Sequence, residues 1–403
     1  MRVLFLTTRL PHARVIGAHA IVYHRIRLLL ERGHEVGLAC FASPEQAADE
    51  GREWPGRLVD FRTLPDPSPA GPFRQAVRGG LHGVPPPFSL RTAPGMRELV
   101  GDMVARDRYA IVLAEFTAMG QYIHGNPYLP AARIVVSCHE CAAVASQTRI
   151  DFYGYRLRGL TERVRRRFLR AYEFGLYRAA DCVFVLTPQE RYQLLGYAPD
   201  LRTAVIPSGV DTRYFAPPAA AVARDGIVFT GYYSHEPNRD AVMWFARQVW
   251  PSVRMGRKGL KLFIVGPDPS SDIADLARGD PDVAVTGEVA DVRPYLHRAA
   301  AFVCPVRMGS GMRGKILEAM ACEAPVVSTS LGAEGIPAQS GQNCLLGDDA
   351  QVMARQINLL LDDDPLRRKI VANARRLATE RFSWDQIGDL LEASLNDVLT
   401  RRL

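Results

Sequence analysis

The chain has 403 residues, 50 Lys+Arg against 43 Asp+Glu, and a formal charge of +7. A hydrophobic fraction of 47% with 23% charged residues is that of an ordinary soluble globular protein, and it excludes a disordered, collagen-like or disulfide-scaffolded chain. At about 100–200 residues per domain, the length accommodates two domains with separate cores.

The N-terminal MRVLFLTTRL has too short an apolar run for a secretory leader and reads as a first buried strand, VLFL (3–6). A helical pattern follows, with Ile21, Ile26, Leu29 and Leu30 on its apolar side, and stops at Gly33. EVGLACF supplies the next strand. Residues 65–95 carry eight prolines and read as an irregular loop. Apolar runs at 111–114, 134–136, 182–186 and 204–206 predict short buried strands, with helices at about 96–106 and 188–195 among them. PSGVDTRYFAPPAAAVA (207–223) lacks a period and reads as a linker. A second series opens with IVFTG (227–231), and Ala241, Trp244, Phe245 and Val249 stripe the helix after Pro237. Further strands are predicted at 262–266, 283–287, 301–306 and 325–330. From about Ser383, Trp384, Ile387, Leu391 and Leu395 recur at helical spacing, long enough to leave their own domain and dock on the first. Strands alternating with amphipathic helices predict two doubly wound α/β domains in tandem, with a cleft between them. The expected boundaries are 1–207, a linker at 208–223, a second domain at 224–382, and a returning helix at 383–403.

Doubly wound sheets bind ligands beyond the carboxyl ends of their strands. The richest such segment is RMGSGMRGKILEAMACEAPVV, after strand 301–306. Gly309, Gly311 and Gly314 let the backbone approach a ligand, and a helix opening near Met312 aims free N–H groups at it. Arg313 and Lys315 add two cations there. Lys315 is one of only four lysines, with Lys258, Lys261 and Lys369, in a chain of 46 arginines. Glu318 lies one turn further on the same face and is placed to accept hydrogen bonds from a ribose diol. The pattern predicts a nucleotide site, the alternative being a solvated Gly-rich turn.

The run GSGMRGKILEAMACEAPVVSTSLGAEGI resembles the donor-site signature of glycosyltransferase family 4, retaining enzymes with the GT-B fold of two Rossmann-like domains. FTGYYSHEPNRDAVMWFARQVWPSVR, VTGEVADVRPYLHRAAAFVCPV, VIPSGVDTRYFAP and RGHEV (32–36) are similar to further segments of that family. The resemblance implies a nucleotide-diphosphate sugar as donor. Arg313 and Lys315 would hold the diphosphate and Glu318 the ribose hydroxyls. The backbone of Gly309, Ser310, Gly311 and Met312 would face the transferred sugar, and the main chain of Val289 the base. Gly231 would be a further donor contact, and Gly17 would approach across the cleft. The chain departs from the family pattern at Ser310, where the first of two glutamates stands, and at Tyr232, Tyr233 and His235, where many members carry an Arg and a Lys. It departs also at Gly17-Ala18, in place of paired glycines, and at Ala114-Glu115-Phe116, where members with a histidine under the sugar place it.

No metal is expected. Asp280-Pro281-Asp282 has turn composition, Asp362–Asp364 reads as a helix end, and CHEC (138–141) has no second ligand pair for zinc. The seven cysteines are odd in number and lie in apolar runs, as small buried residues of a reducing compartment do. For the acceptor hydroxyl, Glu115 and His139 each follow a first-domain strand and are candidate proton acceptors; His19 and His235 are weaker candidates for donor contact. The family resemblance favours instead front-face attack, with the leaving phosphate taking the proton. Residues 156–170 hold seven arginines and one acid, with Leu157, Leu160, Val164 and Phe168 on one helical face. Such a helix suits an anionic membrane and a lipid-linked or saccharide acceptor, or else packs on the core with a solvated basic face. No reader motif for nucleic acid accompanies the charge. With no run near the roughly 18 apolar residues of a membrane span, the expected location is cytoplasmic, with peripheral membrane contact. The leading expectation is a retaining glycosyltransferase of cell-surface polysaccharide or glycolipid synthesis. The alternatives are a nucleotide-sugar epimerase on the same fold and a non-catalytic nucleotide-binding partner.

Overall fold

The structure, a computed structural model, describes residues 1–12, 18–43, 45–46, 54–56, 58–67, 83–129, 132–155, 157–309 and 311–400. The chain divides into two compact units, Met1–Pro207 with Ile387–Leu403, and Ser208–Gln386.

The first unit is built on a seven-stranded sheet: β1 (Arg2–Thr7), β2 (Glu35–Phe41), β3 (Asp60–Leu64), β4 (Ile111–Glu115), β5 (Arg133–Cys138), β6 (Cys182–Val185) and β7 (Thr203–Val205). Their order is β3-β2-β1-β4-β5-β6-β7, and every pair is parallel. Val3–Leu6 and Ile111–Ala114 are fully buried, because a parallel strand covered by helices on both faces must be apolar at every position, not every second one. The half-buried β3, Asp-Phe-Arg-Thr-Leu, has no such run, and its sequence shows no strand pattern. Of the Pro-rich stretch, residues 83–95 hold a short 3-10 turn, Phe88–Arg91, whose Phe88 is buried. Residues 68–82 lie outside the described residues.

The second unit repeats the plan with β8 (Gly226–Thr230), β9 (Lys261–Val265), β10 (Val283–Gly287), β11 (Ala299–Cys304), β12 (Val326–Ser328) and β13 (Leu345–Leu346). Their order is β10-β9-β8-β11-β12-β13, again all parallel. Residues 208–223 belong to this unit: Val210 is buried in its core, and its amide donates to Phe382 O at 2.8 Å. The periodless composition of this stretch thus accompanies packed irregular backbone. The last helix is Trp384–Thr400; from Ile387 it belongs to the first unit, where Arg32 pairs with Asp389 at 2.6 Å and His34 with Glu392 at 2.8 Å.

In each order the sequence of strands reverses between two neighbours, β1/β4 and β8/β11. A crevice opens beyond the carboxyl ends at such a switch point, because the helices leave in opposite directions.

Candidate functional site

At the second unit's switch point, β8 ends at Thr230 and β11 at Cys304. The chain after β11 takes left-handed backbone at Gly309 (φ 95°) and Gly311 (φ 92°), a conformation that a Cβ disfavours. The helix begins at Gly314, not near Met312, because Arg313 has φ −98° and ψ 87°, outside the helical region. Met312 packs half-buried on the core. Ser310 lies outside the described residues, as does Gly17 of the first unit.

Lys315 reaches across the switch point. Its Nζ donates to Thr230 O at 2.6 Å and Asn238 Oδ1 at 2.9 Å and sits 4.5 Å from the centroid of the Phe229 ring. Burial pulls its pKa down to about 8, against the fields of Cys304 and Glu318. Burial likewise raises the Glu318 carboxyl to about 7, against Lys315. Arg313 donates to Gly311 O and pairs with Glu334 at 3.2 Å. Gly231 lies in the same corner: a Cβ there would meet the Asn238 amide and stand 3.3 Å from Lys315 Nζ. Gly231 O would lie 1.9 Å from any Cβ on Gly266, so the two loops cross at a distance only glycine permits. Val289 is half-buried against the core after β10.

The second unit therefore gathers Gly231, Gly309, Gly311, Arg313, Lys315 and Glu318 around one strand edge. It adds Asn238, which also donates to Tyr232 O, and Glu334. Sequence reading passed over both, since a lone Asn in a helix and a lone Glu in a loop carry no signal until a partner distant in sequence is known. Tyr233 is buried, its hydroxyl 3.2 Å from Val265 O, and serves the core. Asp280 accepts from Trp250 Nε1 and Arg254, and Asp363 caps the helix Asp364–Phe382, so both acidic clusters have structural partners.

The first unit's switch point holds a different cluster. Glu115 ends β4 fully buried, both carboxylate oxygens 3.0–3.1 Å from Arg25 NH1. His139, just after β5, donates from Nε2 to Glu115 Oε2 at 2.6 Å. Arg25 also donates to Ser137 Oγ (2.7 Å) and Ile206 O (3.0 Å). The Glu115 carboxyl is held down at about 2: Arg25 and His139 outweigh the burial that alone would raise it. Such a carboxylate is a poor base, which separates the two proton-acceptor candidates: Glu115 is committed to protein partners, and His139 keeps one ring nitrogen. His19 is bonded to Thr8 Oγ1 at 3.0 Å and lowered to about 3 by burial. Cys138 and Cys141 are buried thiols outside any disulfide among the described residues, as are the other five cysteines.

Comparison with known proteins agrees with this arrangement. Residues 15–214 match the family described as Glycosyltransferase Family 4, and residues 224–363 that described as Glycosyl transferases group 1. The D-inositol 3-phosphate glycosyltransferase of Stackebrandtia nassauensis is 28% identical over 230 residues, 50% of this chain and 50% of that one. The chain aligns with about half the length of such inositol phosphate relatives. The phosphatidyl-myo-inositol mannosyltransferase of Mycolicibacterium smegmatis is 26% identical over 390 residues, 92% of this chain and 87% of that one. The Anabaena protein Alr3699/HepE, solved in complex with UDP, superposes with a TM-score of 0.69 at 16% identity, covering 98% of this chain and 100% of that one; this likeness speaks to the fold alone. Two parallel doubly wound sheets, the glycine-lined cationic corner at β8/β11 and both family matches lead to one assignment: the chain has the GT-B fold and belongs to glycosyltransferase family 4.

Proposed function

We propose that the protein is a retaining, metal-independent transferase that moves a sugar from a nucleotide-diphosphate sugar to a hydroxyl acceptor in glycolipid or cell-surface polysaccharide biosynthesis. The observation that carries this reading is Lys315, a cation held at the β8/β11 switch point by two neutral oxygens. Breaking the anomeric C–O bond leaves negative charge on the departing phosphate, and a preorganised cation aimed there is a large term in such reactions. Lys315 and Arg313 supply that charge, the role a metal ion fills elsewhere. The acceptor oxygen forms the new bond on the face the phosphate leaves, and the acceptor proton passes to a phosphate oxygen. Glu318, as carboxylate, accepts from the ribose diol. The UDP complex of the Anabaena relative supports a nucleoside diphosphate as the bound moiety.

The test is a thermal-shift comparison of UDP, GDP and ADP, followed by turnover of the matching nucleotide sugar with and without EDTA. One nucleotide raising the Tm, undiminished turnover in EDTA and the same anomeric configuration in product as in donor, read from the NMR anomeric signals, are expected. No shift with any nucleotide sinks the donor reading. Inversion of the anomeric signal sinks retention, and loss of turnover in EDTA sinks metal independence.

For the acceptor, the helix Leu157–Arg178 favours a membrane-borne lipid-linked substrate and a peripheral location on the inner membrane face. Leu169, Phe174 and Tyr177 bury its inner side, while Leu157 (77%), Val164 (65%) and Phe168 (63%) stay exposed among arginines. Among the described residues no helix is long and apolar enough to cross a membrane. An apolar stripe flanked by cations suits an anionic bilayer surface. Co-sedimentation with phosphatidylglycerol vesicles but not with phosphatidylcholine vesicles, lost in Val164→Ser/Phe168→Ser, is expected; equal binding by the double variant sinks this part.

A further inference from the structure

Arg25 lies on the helix Ala18–Glu31 and is wholly buried, an unusual place for a guanidinium. It donates to both oxygens of Glu115, to Ser137 Oγ and to Ile206 O. Glu115 in turn takes the hydrogen bond from His139 Nε2 at 2.6 Å. The other ring nitrogen, Nδ1, is buried with no hydrogen-bond partner among the described residues, although His139 is 92% buried overall (8% exposed). Phe116 stacks on the imidazole at 4.3 Å, and its ring lies tilted 4.7 Å from that of His19. To place that ring, Phe116 adopts φ 74°, a left-handed conformation rare for a bulky residue and found where surroundings enforce it. A strained aromatic, a buried ion pair and an unsatisfied imidazole nitrogen meet at the carboxyl edge of β4 and β5, at the switch point of the first sheet.

The charges there fix the state of the ring. Arg25 and Glu115 neutralise one another, so protonating His139 would leave a net positive charge in a buried cluster. The groups facing the ring are Glu115, which favours the imidazolium, and Arg25 and burial, which oppose it; the pKa lies below the ordinary histidine value. A neutral imidazole that donates from Nε2 to a carboxylate is an acceptor at Nδ1.

We infer that Arg25 is a positioning residue: it holds Glu115 as the carboxylate that fixes His139 in its Nε2–H form, so that Nδ1 is left to accept a hydrogen bond from a hydroxyl of the acceptor other than the attacking one, whose proton goes to the phosphate. The inference rests on the transferase reading for the identity of that hydroxyl. The tautomer does not depend on it.

The test is imidazole 15N NMR of the full chain labelled at histidine, with the His139 signals assigned by their loss in His139→Gln. At pH 7.5 an unprotonated Nδ1 and a protonated Nε2 are expected. In Glu115→Gln the guanidinium must take the amide oxygen, which turns the NH2 toward Nε2 and moves the ring proton to Nδ1. In Arg25→Met the uncompensated carboxylate draws a second proton onto the ring, again protonating Nδ1, and Arg25→Lys restores the original signals in part. Both signal-changing variants lower kcat/KM for the acceptor at least tenfold with the donor KM within twofold. A protonated Nδ1 in the native chain overturns the inference, as does an unchanged His139 signal in Arg25→Met. Should Arg25→Met fail to fold, Glu115→Gln decides alone, and an unshifted ring proton there overturns it. Absence of turnover in the native chain refutes the transferase reading while the NMR result still tests the tautomer.

Discussion

Replacing Lys315 with methionine separates binding charge from packing. The methionine stem keeps the contact over Phe229, and what disappears is the ammonium with its bonds to Thr230 O and Asn238 Oδ1. Each bond from a charged donor is worth about 1.5–3 kcal/mol. The desolvation that holds the pKa at about 8 is relieved with the charge, and this offsets much of the loss. A net stability change of about 1–2 kcal/mol follows, well inside the margin of a folded domain. The transition state has no such offset. Losing a preorganised charge beside the leaving phosphate costs about 2.7–4 kcal/mol, a fall of roughly 100- to 1,000-fold in kcat. The assay is initial-rate turnover of the nucleotide sugar, with the Tm measured on the same preparation. A fall of less than about tenfold in fully folded protein would refute the placement of Lys315 at the phosphate. The pH profile makes the same point independently. In the free enzyme Lys315 loses its proton as pH rises through about 8, so kcat/KM declines there. Lys315→Arg carries a guanidinium that does not titrate in this range and abolishes that limb.

Three further outcomes follow from the same corner. Glu318, raised to about 7, must be ionised to accept the ribose diol, so kcat/KM falls as pH drops through about 7; Glu318→Gln removes this acid limb and raises the donor KM by roughly tenfold, the value of about one hydrogen bond. Because Lys315 and Glu318 feel one another, each substitution also moves the other limb, which a paired set of profiles detects. Gly309→Ala meets Pro237 only at 3.4 Å, an ordinary contact, so its expected cost of about 1–2 kcal/mol comes from the left-handed backbone and shows as a lower Tm and weaker nucleotide binding; an unchanged Tm contradicts that account.

What the amino-acid order disclosed and what it hid have separate physical causes. Strands buried on both faces are apolar at each position, and β1, β4 and β11 were legible for that reason; β3, a half-buried edge strand with Asp, Arg and Thr, was not. The donor corner was legible because backbone constraint writes glycines into the chain and charge writes a rare lysine beside them. Gly17 and Ser310 lie outside the described residues, so the sugar-facing backbone remains as the sequence implies it. Arg25 is the instructive omission. It stands four residues after Ile21, on the apolar side of its helix, and a cation in that position demands a buried acid. Glu115, an acid closing a wholly apolar strand, was the other half of the same signal. Periodicity weighs apolar positions and discards the polar exception, so the pair became visible only through its 3.0 Å contact across 90 residues.

The two cations of the donor corner are unequal in a way the motif does not show. Arg313 is already ion-paired: Glu334 lies 3.2 Å from its NH1, and the side chains of both are about nine-tenths buried. Lys315 donates to a carbonyl and an amide oxygen, neutral acceptors that satisfy its geometry and leave its charge, with Glu318 acting on it through the field alone. An incoming diphosphate thus meets a full cation at Lys315 and a largely compensated one at Arg313, because Coulomb attraction depends on the sum of charges within a few ångströms. Arg313→Met should therefore cost less turnover than Lys315→Met, about tenfold against 100-fold or more, and more stability, since it strands Glu334 as a buried carboxylate whose pKa burial already raises. The double variant Arg313→Met/Glu334→Gln removes both charges and should recover the lost Tm without recovering turnover. A larger turnover loss in Arg313→Met than in Lys315→Met would reverse the assignment and make the arginine the principal phosphate partner.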